Sequence, residues 1–185
     1  MLLIRCTRKL RQAMAIEAET IAIPTATPPT ALTEWYADLV RVGAKKIIVF
    51  THASTLFSIV ALDVRRLERS KLEELLLSRL PAILSQIDCH PNGMKAIAQM
   101  RGDCHYAATA DRRVLGSMNE LIRGLKLYIE GYGGIEHSDE VGLSLRLSET
   151  LMGAIGGMAT IVEKCYHLRL KPFYSNCLGY TTTFF

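Results

Sequence analysis

The feature that most constrains the fold of this chain is a long amphipathic segment at residues 111–134, with the sequence DRRVLGSMNELIRGLKLYIEGYGG. Its apolar residues recur at steps of three and four, so on a helix they gather on one side, which should face a core. Asp111 suits the N-cap position, and the glycines near the end of the segment suit a helix stop. We therefore predict a helix over 111–130. Its apolar stripe consists of Val114, Leu115, Met118, Leu121, Ile122, Leu125 and Ile129.

Other segments of the sequence place this helix in an α+β fold. The 185 residues are 49% hydrophobic and 22% charged, which is typical of a globular chain and not of a disordered one. We predict a single α+β domain over 1–185, with no fold assigned to the tail 161–185. It consists of a small, mainly antiparallel sheet packed by three or more helices. The predicted strands lie near 2–6, 45–51, 55–62 and 104–109, and the predicted helices lie at 31–42, 65–80 and 111–130.

The segment 31–42 holds the single tryptophan of the chain. Trp35, Leu39 and Val42 would share one face of a helix, and Gly43 would end it. Two runs rich in β-branched and aromatic residues follow, separated by three residues that begin with His52. These runs predict a β-hairpin with His52 exposed at its tip.

Basic residues occur in two clusters, although the formal net charge of +4 is too small to indicate nucleic acid by itself. One cluster lies just after the first predicted strand, and the other opens the second predicted helix. They represent either two solvated surfaces or, if folding joins them, one nucleic-acid-binding patch. The residues are Arg8, Lys9 and Arg11 in the first cluster and Arg65, Arg66, Arg69 and Lys71 in the second.

Two Cys-His pairs carry ligand types that suit zinc, namely Cys89 with His90 and Cys104 with His105. Adjacent Cys and His residues rarely bind the same ion comfortably, and the familiar C-x2-C spacing is missing. We expect no metal and no cofactor. In the alternative to a metal site, Cys104 and His105 belong to a strand that leads into the long helix.

The sequence favours a cytoplasmic location. The apolar start of the chain is interrupted at Arg5, well before the length that a signal peptide needs. Five scattered cysteines, an odd number, fit free thiols in a reducing compartment. The uncharged run at 150–162 is too short to cross a bilayer, so we expect no membrane contact.

The strings LLIRCTRKL, EWYADLV, IIVFTHASTLFS and LGSMNE occur in this order within residues 1–134. By these strings the chain resembles an uncharacterised bacterial domain family. Members of that family open with a strand, continue through a Trp-Tyr helix and a strand pair, and carry LGSMND on a later helix. The string LSETLMGAIGG is a weaker further match, Glu120 replaces the more usual Asp, and the tail after Ile161 does not match. The resemblance implies no activity, cofactor or catalytic residue.

The common catalytic signatures are missing, including the phosphate loop, the H-E-x-x-H zinc motif and the G-x-S-x-G elbow. We therefore predict a non-catalytic interaction or regulatory module with an unknown protein partner, and we leave homodimer formation open. The alternatives are a nucleic-acid-associated accessory protein, and an enzyme with a non-contiguous site near Asn119. The predicted functional surface consists of Arg5, Arg113, Ser117, Asn119 and Glu120.

Overall fold

The computed structural model describes residues 2–15, 33–86 and 104–154 of the chain. Within these ranges five strands form one sheet, and helices cover both of its faces. The strands are β1 (Leu2–Cys6), β2 (Glu34–Val42), β3 (Lys45–His52), β4 (Ser58–Ala61) and β5 (Cys104–Ala108). The helices are α1 (Arg8–Ala13), α2 (Arg69–Ser85), α3 (Arg112–Gly131) and α4 (Glu140–Ala154), with a 3-10 turn at Ile135–His137.

The sheet has the strand order β4-β3-β2-β1-β5. Strand β1 is parallel to both of its neighbours, β2 and β5, whereas β2, β3 and β4 pair antiparallel. The α+β class is confirmed, and the sheet is mixed, with two parallel and two antiparallel pairs. Adjacent strands β1 and β5 are each followed by a helix, and these helices pack on opposite faces of the sheet.

The predicted helix over 31–42 is wrong, because Glu34–Val42 forms the central strand β2. Consecutive residues from Trp35 to Val40 are all buried, since helices cover both faces of the sheet at this position. A strand buried on both faces shows no alternation of polar and apolar residues. Trp35, Leu39 and Val42 are spaced like the apolar residues of a helix, although the segment is a strand. Gly43, with φ of +57°, turns the chain into β3 instead of ending a helix.

Two apolar layers lie on the two faces of the sheet. On one face, Leu10 of α1 and a leucine-rich side of α2 pack against side chains of β1 to β4, together with Tyr106 of β5. On the other face, α3 covers β2, β3 and β4 together with Leu143 and Leu147 of α4, while Val141 and Leu145 of α4 pack against the first layer. The α3 residues buried there are Val114, Met118, Leu121, Leu125 and Ile129, which confirms the predicted stripe apart from the half-buried Leu115 and Ile122.

Helix α4 closes the β4 edge of the sheet through its side chains. The outward backbone N–H groups of Ser58 and Val60 donate to the hydroxyl oxygens of Ser148 and Ser144, at 3.1 and 2.9 Å. Three residues spaced at i, i+4 and i+8 point along one line of a helix, so they match alternate residues of a strand. The third is Glu140, whose Oε1 accepts from the N–H of Leu62. An exposed strand edge is thereby paired and protected.

Two local predictions near the sheet also need correction. His52 is the last residue of β3 and is buried, not exposed at a tip, because its ring packs edge-on against Trp35 with 5.1 Å between ring centroids. The predicted helix over 65–80 begins at Arg69 and continues through Pro81 to Ser85. Arg65 and Arg66 therefore lie in the extended segment that leads from β4 to α2.

Candidate functional site

A polar pocket lies where the N-terminal turn of α3 meets the face of the sheet. Its volume is about 430 Å³. Arg5 comes from the carboxyl end of β1, and the residues of the α3 start follow the carboxyl end of β5. Crevices at the carboxyl ends of parallel strands whose helices leave on opposite faces are common ligand sites. We call this the α3 pocket, and it is lined by Arg5, Glu34, Tyr36, Ala53, Ala110, Asp111, Arg112 and Val114.

An ion pair between Arg5 and Glu34 forms the floor of the α3 pocket. The Arg5 Nε atom donates to Glu34 Oε1 at 2.5 Å, and Arg5 also donates from Nη1 to the carbonyl oxygen of Ala108 at 3.1 Å. Both charged side chains are mostly buried, with 13% and 23% of their surface exposed. One guanidinium thereby joins β1, β2 and the end of β5. A charge this enclosed is held in one orientation by its partners.

Tyr36 fixes the start of α3 on the sheet. Its ring is 2% exposed and packs with Val114 and Met118. The Tyr36 hydroxyl oxygen accepts a hydrogen bond from the backbone N–H of Asp111 at 3.0 Å. The first helical turn of α3 is therefore attached to β2 directly beside the Arg5–Glu34 pair.

Asp111 caps α3, as predicted. Its carboxylate accepts from the backbone N–H of Arg113 at 2.8 Å, and it also accepts from the Arg113 guanidinium at 3.1 Å. Hydrogen bonding from the Arg113 side chain, followed by that from its backbone, lowers the pKa of Asp111 below its ordinary value. The cap therefore remains an ionised carboxylate at neutral pH, which suits the positive end of the helix dipole.

The Arg113→Gln substitution should raise the pKa of Asp111 towards the value of about 3.9 for an unperturbed aspartate. A carboxyl group with a lowered folded-state pKa stabilises the fold above its unfolded-state pKa, and this contribution is lost as the pH falls through the folded-state pKa. The variant should lose the contribution at a higher pH. NMR titration of the Asp111 carboxyl carbon measures the shift, with Arg123→Gln as the control. Equal titration midpoints in the wild type and Arg113→Gln would contradict the assignment.

The structure brings together only part of the predicted functional surface. Arg5 lines the α3 pocket, and Arg113 lies next to it, bound to Asp111 with 92% of its side chain exposed. The other three residues lie further along α3 and are not among the lining residues. Of these, Ser117 is half-buried, Asn119 is exposed, and Glu120 is exposed and pairs with Arg123 at 2.8 Å.

Sequence reasoning did not select Glu34, Tyr36 or Arg112 as site residues. Glu34 and Tyr36 lay in the segment assigned to a helix, where their side chains would not face Arg5. In β2, Tyr36 is the register partner of Arg5 across a parallel pair. Alternate residues of a strand share a face, so a strand assignment of EWYADLV would have placed Glu34 and Tyr36 on the same face of the sheet.

The predicted metal ligands are only partly described. Cys104 and His105 lie in β5, whereas Cys89 and His90 lie outside the described residues. Within 2–15, 33–86 and 104–154, no group of three or more His, Cys, Asp or Glu residues is arranged to hold a metal ion. The Cys104 thiol instead lies beside the Tyr106 hydroxyl, and burial raises the pKa of Tyr106 well above its ordinary value.

The two predicted basic clusters lie on different parts of the fold. Arg8, Lys9 and Arg11 belong to α1, and Lys9 Nζ lies 3.8 Å from the carboxylate of the buried Asp38. In the second cluster Lys71 pairs with Glu74 at 2.8 Å, while Arg65 and Arg66 are exposed. Arg69 is the first residue of α2.

A family model described as a domain of unknown function (DUF6933) matches residues 3–161. The chain belongs to this family. The match begins one residue inside β1 and includes every other described strand and helix and the α3 pocket, so the predicted membership of an uncharacterised domain family is confirmed. No curated protein and no solved structure matches the sequence.

None of the helices within the described ranges is both long enough and apolar enough to cross a bilayer.

Proposed function

We propose that this member of the domain family is a non-catalytic interaction module, and that its protein partner contacts the α3 pocket and the first turn of α3. The observation that carries the proposal is the enclosed Arg5–Glu34 pair, which lies under an exposed rim containing Arg112 and Arg113. A polar floor held in one orientation, with a charged rim, suits recognition of a polar group on a partner.

The chemistry of the pocket supports binding over catalysis. A general base works best with a pKa near the operating pH, but Asp111 has a lowered pKa and is used as a helix cap. The Arg5 guanidinium is committed to Glu34 and to the Ala108 carbonyl. These groups can orient a bound polar group, whereas proton transfer would require a carboxyl group or imidazole with a suitable pKa.

Comparative affinity capture tests this function. The tagged wild type, Arg112→Glu and Lys126→Glu are expressed in the organism that encodes the chain, and the bound proteins are quantified by mass spectrometry. Arg112 and Lys126 are both exposed on α3, but the fourteen-residue separation places them about 21 Å apart along the helix. We expect at least one protein to be captured by the wild type and by Lys126→Glu, and to be reduced at least about tenfold by Arg112→Glu, as loss of a charged contact of about 1.4 kcal/mol would give.

Two results would overturn the proposed function. The first is equal capture of every protein by the two variants, because the pocket rim would then play no part in binding. The second is reproducible turnover that is lost on Asn119→Ala or Glu120→Gln, since this would establish the enzyme alternative. Capture of an untagged copy of the chain alone would identify the partner as a second copy and would make the module a homodimer.

A cytoplasmic location in a bacterium is part of the same proposal. It is supported by the five scattered cysteines and by the resemblance of four ordered strings to a bacterial family. Fractionation of the source cells, followed by immunodetection, tests this location. Recovery in the membrane or extracellular fraction would contradict it.

A further inference from the structure

A row of basic side chains crosses the end of the sheet at which β2 turns into β3. Arg41 of β2 and Lys46 of β3 are directly opposite each other in the antiparallel pair. Like charges at opposed positions repel and weaken a strand pair. Within the part of the chain that the structure describes, neither side chain has an ion-pair partner. The hairpin thus carries a repulsion that an external anion would relieve.

The segment after β4 extends the row on one side. The backbone N–H of Val64 donates to the carbonyl oxygen of Lys46 at 2.8 Å, which brings the next residues, Arg65 and Arg66, beside the hairpin. Both are exposed. The nearby carboxylate of Asp63 bonds to Lys45 at 2.8 Å. Two more cationic residues therefore follow directly after the backbone contact with Lys46.

Helix α1 extends the row on the other side. The backbone N–H of Thr7 donates to the Ala37 carbonyl at 3.0 Å, so the chain leaves β1 alongside β2 and forms α1 against it. Arg8 of this helix is exposed. The Nε atom of Arg11 is enclosed and has no hydrogen-bond partner among the described residues. Basic residues therefore lie on or next to four neighbouring strands, β1 to β4, at the same end of the sheet. Three inter-strand spacings give this row a width of about 14 Å.

We propose that this basic row binds the phosphate backbone of a nucleic-acid duplex. A line of cations matches a linear polyanion, and a duplex carries one negative charge per about 1.7 Å of its axis. Five of the six residues are arginines, whose guanidinium groups form paired hydrogen bonds with phosphate. Among the described residues the exposed aromatic side chain is Tyr132, which follows α3 and is not in these segments, so the row lacks the stacking surfaces with which proteins bind single-stranded bases. The row consists of Arg8, Arg11, Arg41, Lys46, Arg65 and Arg66.

This inference does not depend on the α3 pocket, since no residue is shared between the two sites. Binding of an anion would also account for the opposed like charges of Arg41 and Lys46, which the fold itself does not require. The predicted nucleic-acid clusters contained four of the six residues, whereas Arg41 and Lys46 join them only through the strand assignment of Glu34–Val42. Of that earlier set, Lys71 is engaged with Glu74 and Lys9 lies beside Asp38.

Fluorescence anisotropy with a labelled DNA duplex of mixed sequence tests the basic row. Binding of the full chain should weaken steeply between about 50 and 200 mM salt. In the double variant Arg41→Gln/Lys46→Gln the dissociation constant should rise at least about tenfold, and the slope of log K against log salt should fall by about 2. The matched control is Arg123→Gln/Lys126→Gln, which removes two exposed charges from α3 and should leave both quantities close to those of the wild type.

Thermal unfolding verifies that the variants are folded. Removing the opposed like charges should leave the Tm of Arg41→Gln/Lys46→Gln unchanged or raised. If that variant does not fold, Arg65→Gln/Arg66→Gln replaces it, because these residues lie in an extended exposed segment. No salt-dependent binding by the wild type, or equal weakening in the test and control variants, would overturn the inference. Tighter binding of polyglutamate than of the duplex at the same salt would also overturn it and would assign the row to an acidic protein.

Discussion

Replacing Ser144 and Ser148 together by alanine should lower the free energy of unfolding by about 1–5 kcal/mol. Each hydroxyl accepts from an N–H group on the edge of β4, and both serines are buried. A buried donor left without a partner costs about 1–3 kcal/mol. The better helix propensity of alanine offsets part of this cost, by roughly 0.5 kcal/mol per residue. Urea unfolding followed by the fluorescence of the single tryptophan, the buried Trp35, measures the change.

Ser78→Ala/Ser85→Ala is the matched control for the edge serines. These two hydroxyls are exposed on α2 and donate to carbonyl oxygens of their own helix, and the Ser78 hydroxyl also accepts from Arg79 Nη1 at 3.4 Å, on the surface. Their loss should change the free energy of unfolding by no more than about 0.5 kcal/mol, the usual effect of a surface substitution. If both double variants had the same free energy of unfolding, the hydrogen bonds from the β4 edge to α4 would not contribute to stability.

The Leu39→Ala and Val40→Ala substitutions should both be strongly destabilising, although the two residues are neighbours. Leu39 is 2% exposed and packs in the layer of α1 and α2, while Val40 is 1% exposed and packs in the layer of α3 and α4. A buried Leu→Ala change costs about 2–5 kcal/mol. Loss of buried Val side-chain surface costs at least about 1.5 kcal/mol. Urea unfolding of the two single variants provides both values.

The pair of neighbouring substitutions distinguishes a strand from a helix at this position. On a helix with Trp35, Leu39 and Val42 facing the core, Val40 would point about 100° away from Leu39 and would be largely exposed. Val40→Ala would then cost no more than about 0.5 kcal/mol. That result would contradict the assignment of Glu34–Val42 to the central strand. The exposed Leu127→Ala serves as a control of small expected effect.

Sequence patterns predicted the elements that have one buried side or a clear turn. The α3 helix was recognisable because its polar and apolar sides differ and because Asp111 and the final glycines mark its ends. The hairpin of β3 and β4 was recognisable from β-branched residues around a short turn. Strand β2 was missed because both of its faces are buried, and its role as the parallel partner of β1 is set by tertiary pairing, which a local pattern does not contain.

The candidate site was predictable only where it depends on local sequence. The Asp111 cap and its neighbour Arg113 follow from residues close together in the chain. In contrast, the Arg5–Glu34 pair joins residues 29 positions apart, and the Tyr36–Asp111 hydrogen bond joins residues 75 positions apart. Both contacts follow from placing β2 beside β1. A wrong assignment of one segment therefore removed two of the polar residues that form the pocket.

Photo-crosslinking from the rim of the α3 pocket tests the central claim of a binding site most directly. A photoreactive phenylalanine analogue replaces the exposed Ala110, which lies just before α3, and a second variant carries it at the exposed Lys126, far along α3. Illumination in the source cells should give a discrete crosslinked protein from position 110 and none from position 126. Addition of Arg112→Glu should reduce the product from position 110. The same products from both positions, or none from position 110, would contradict the account.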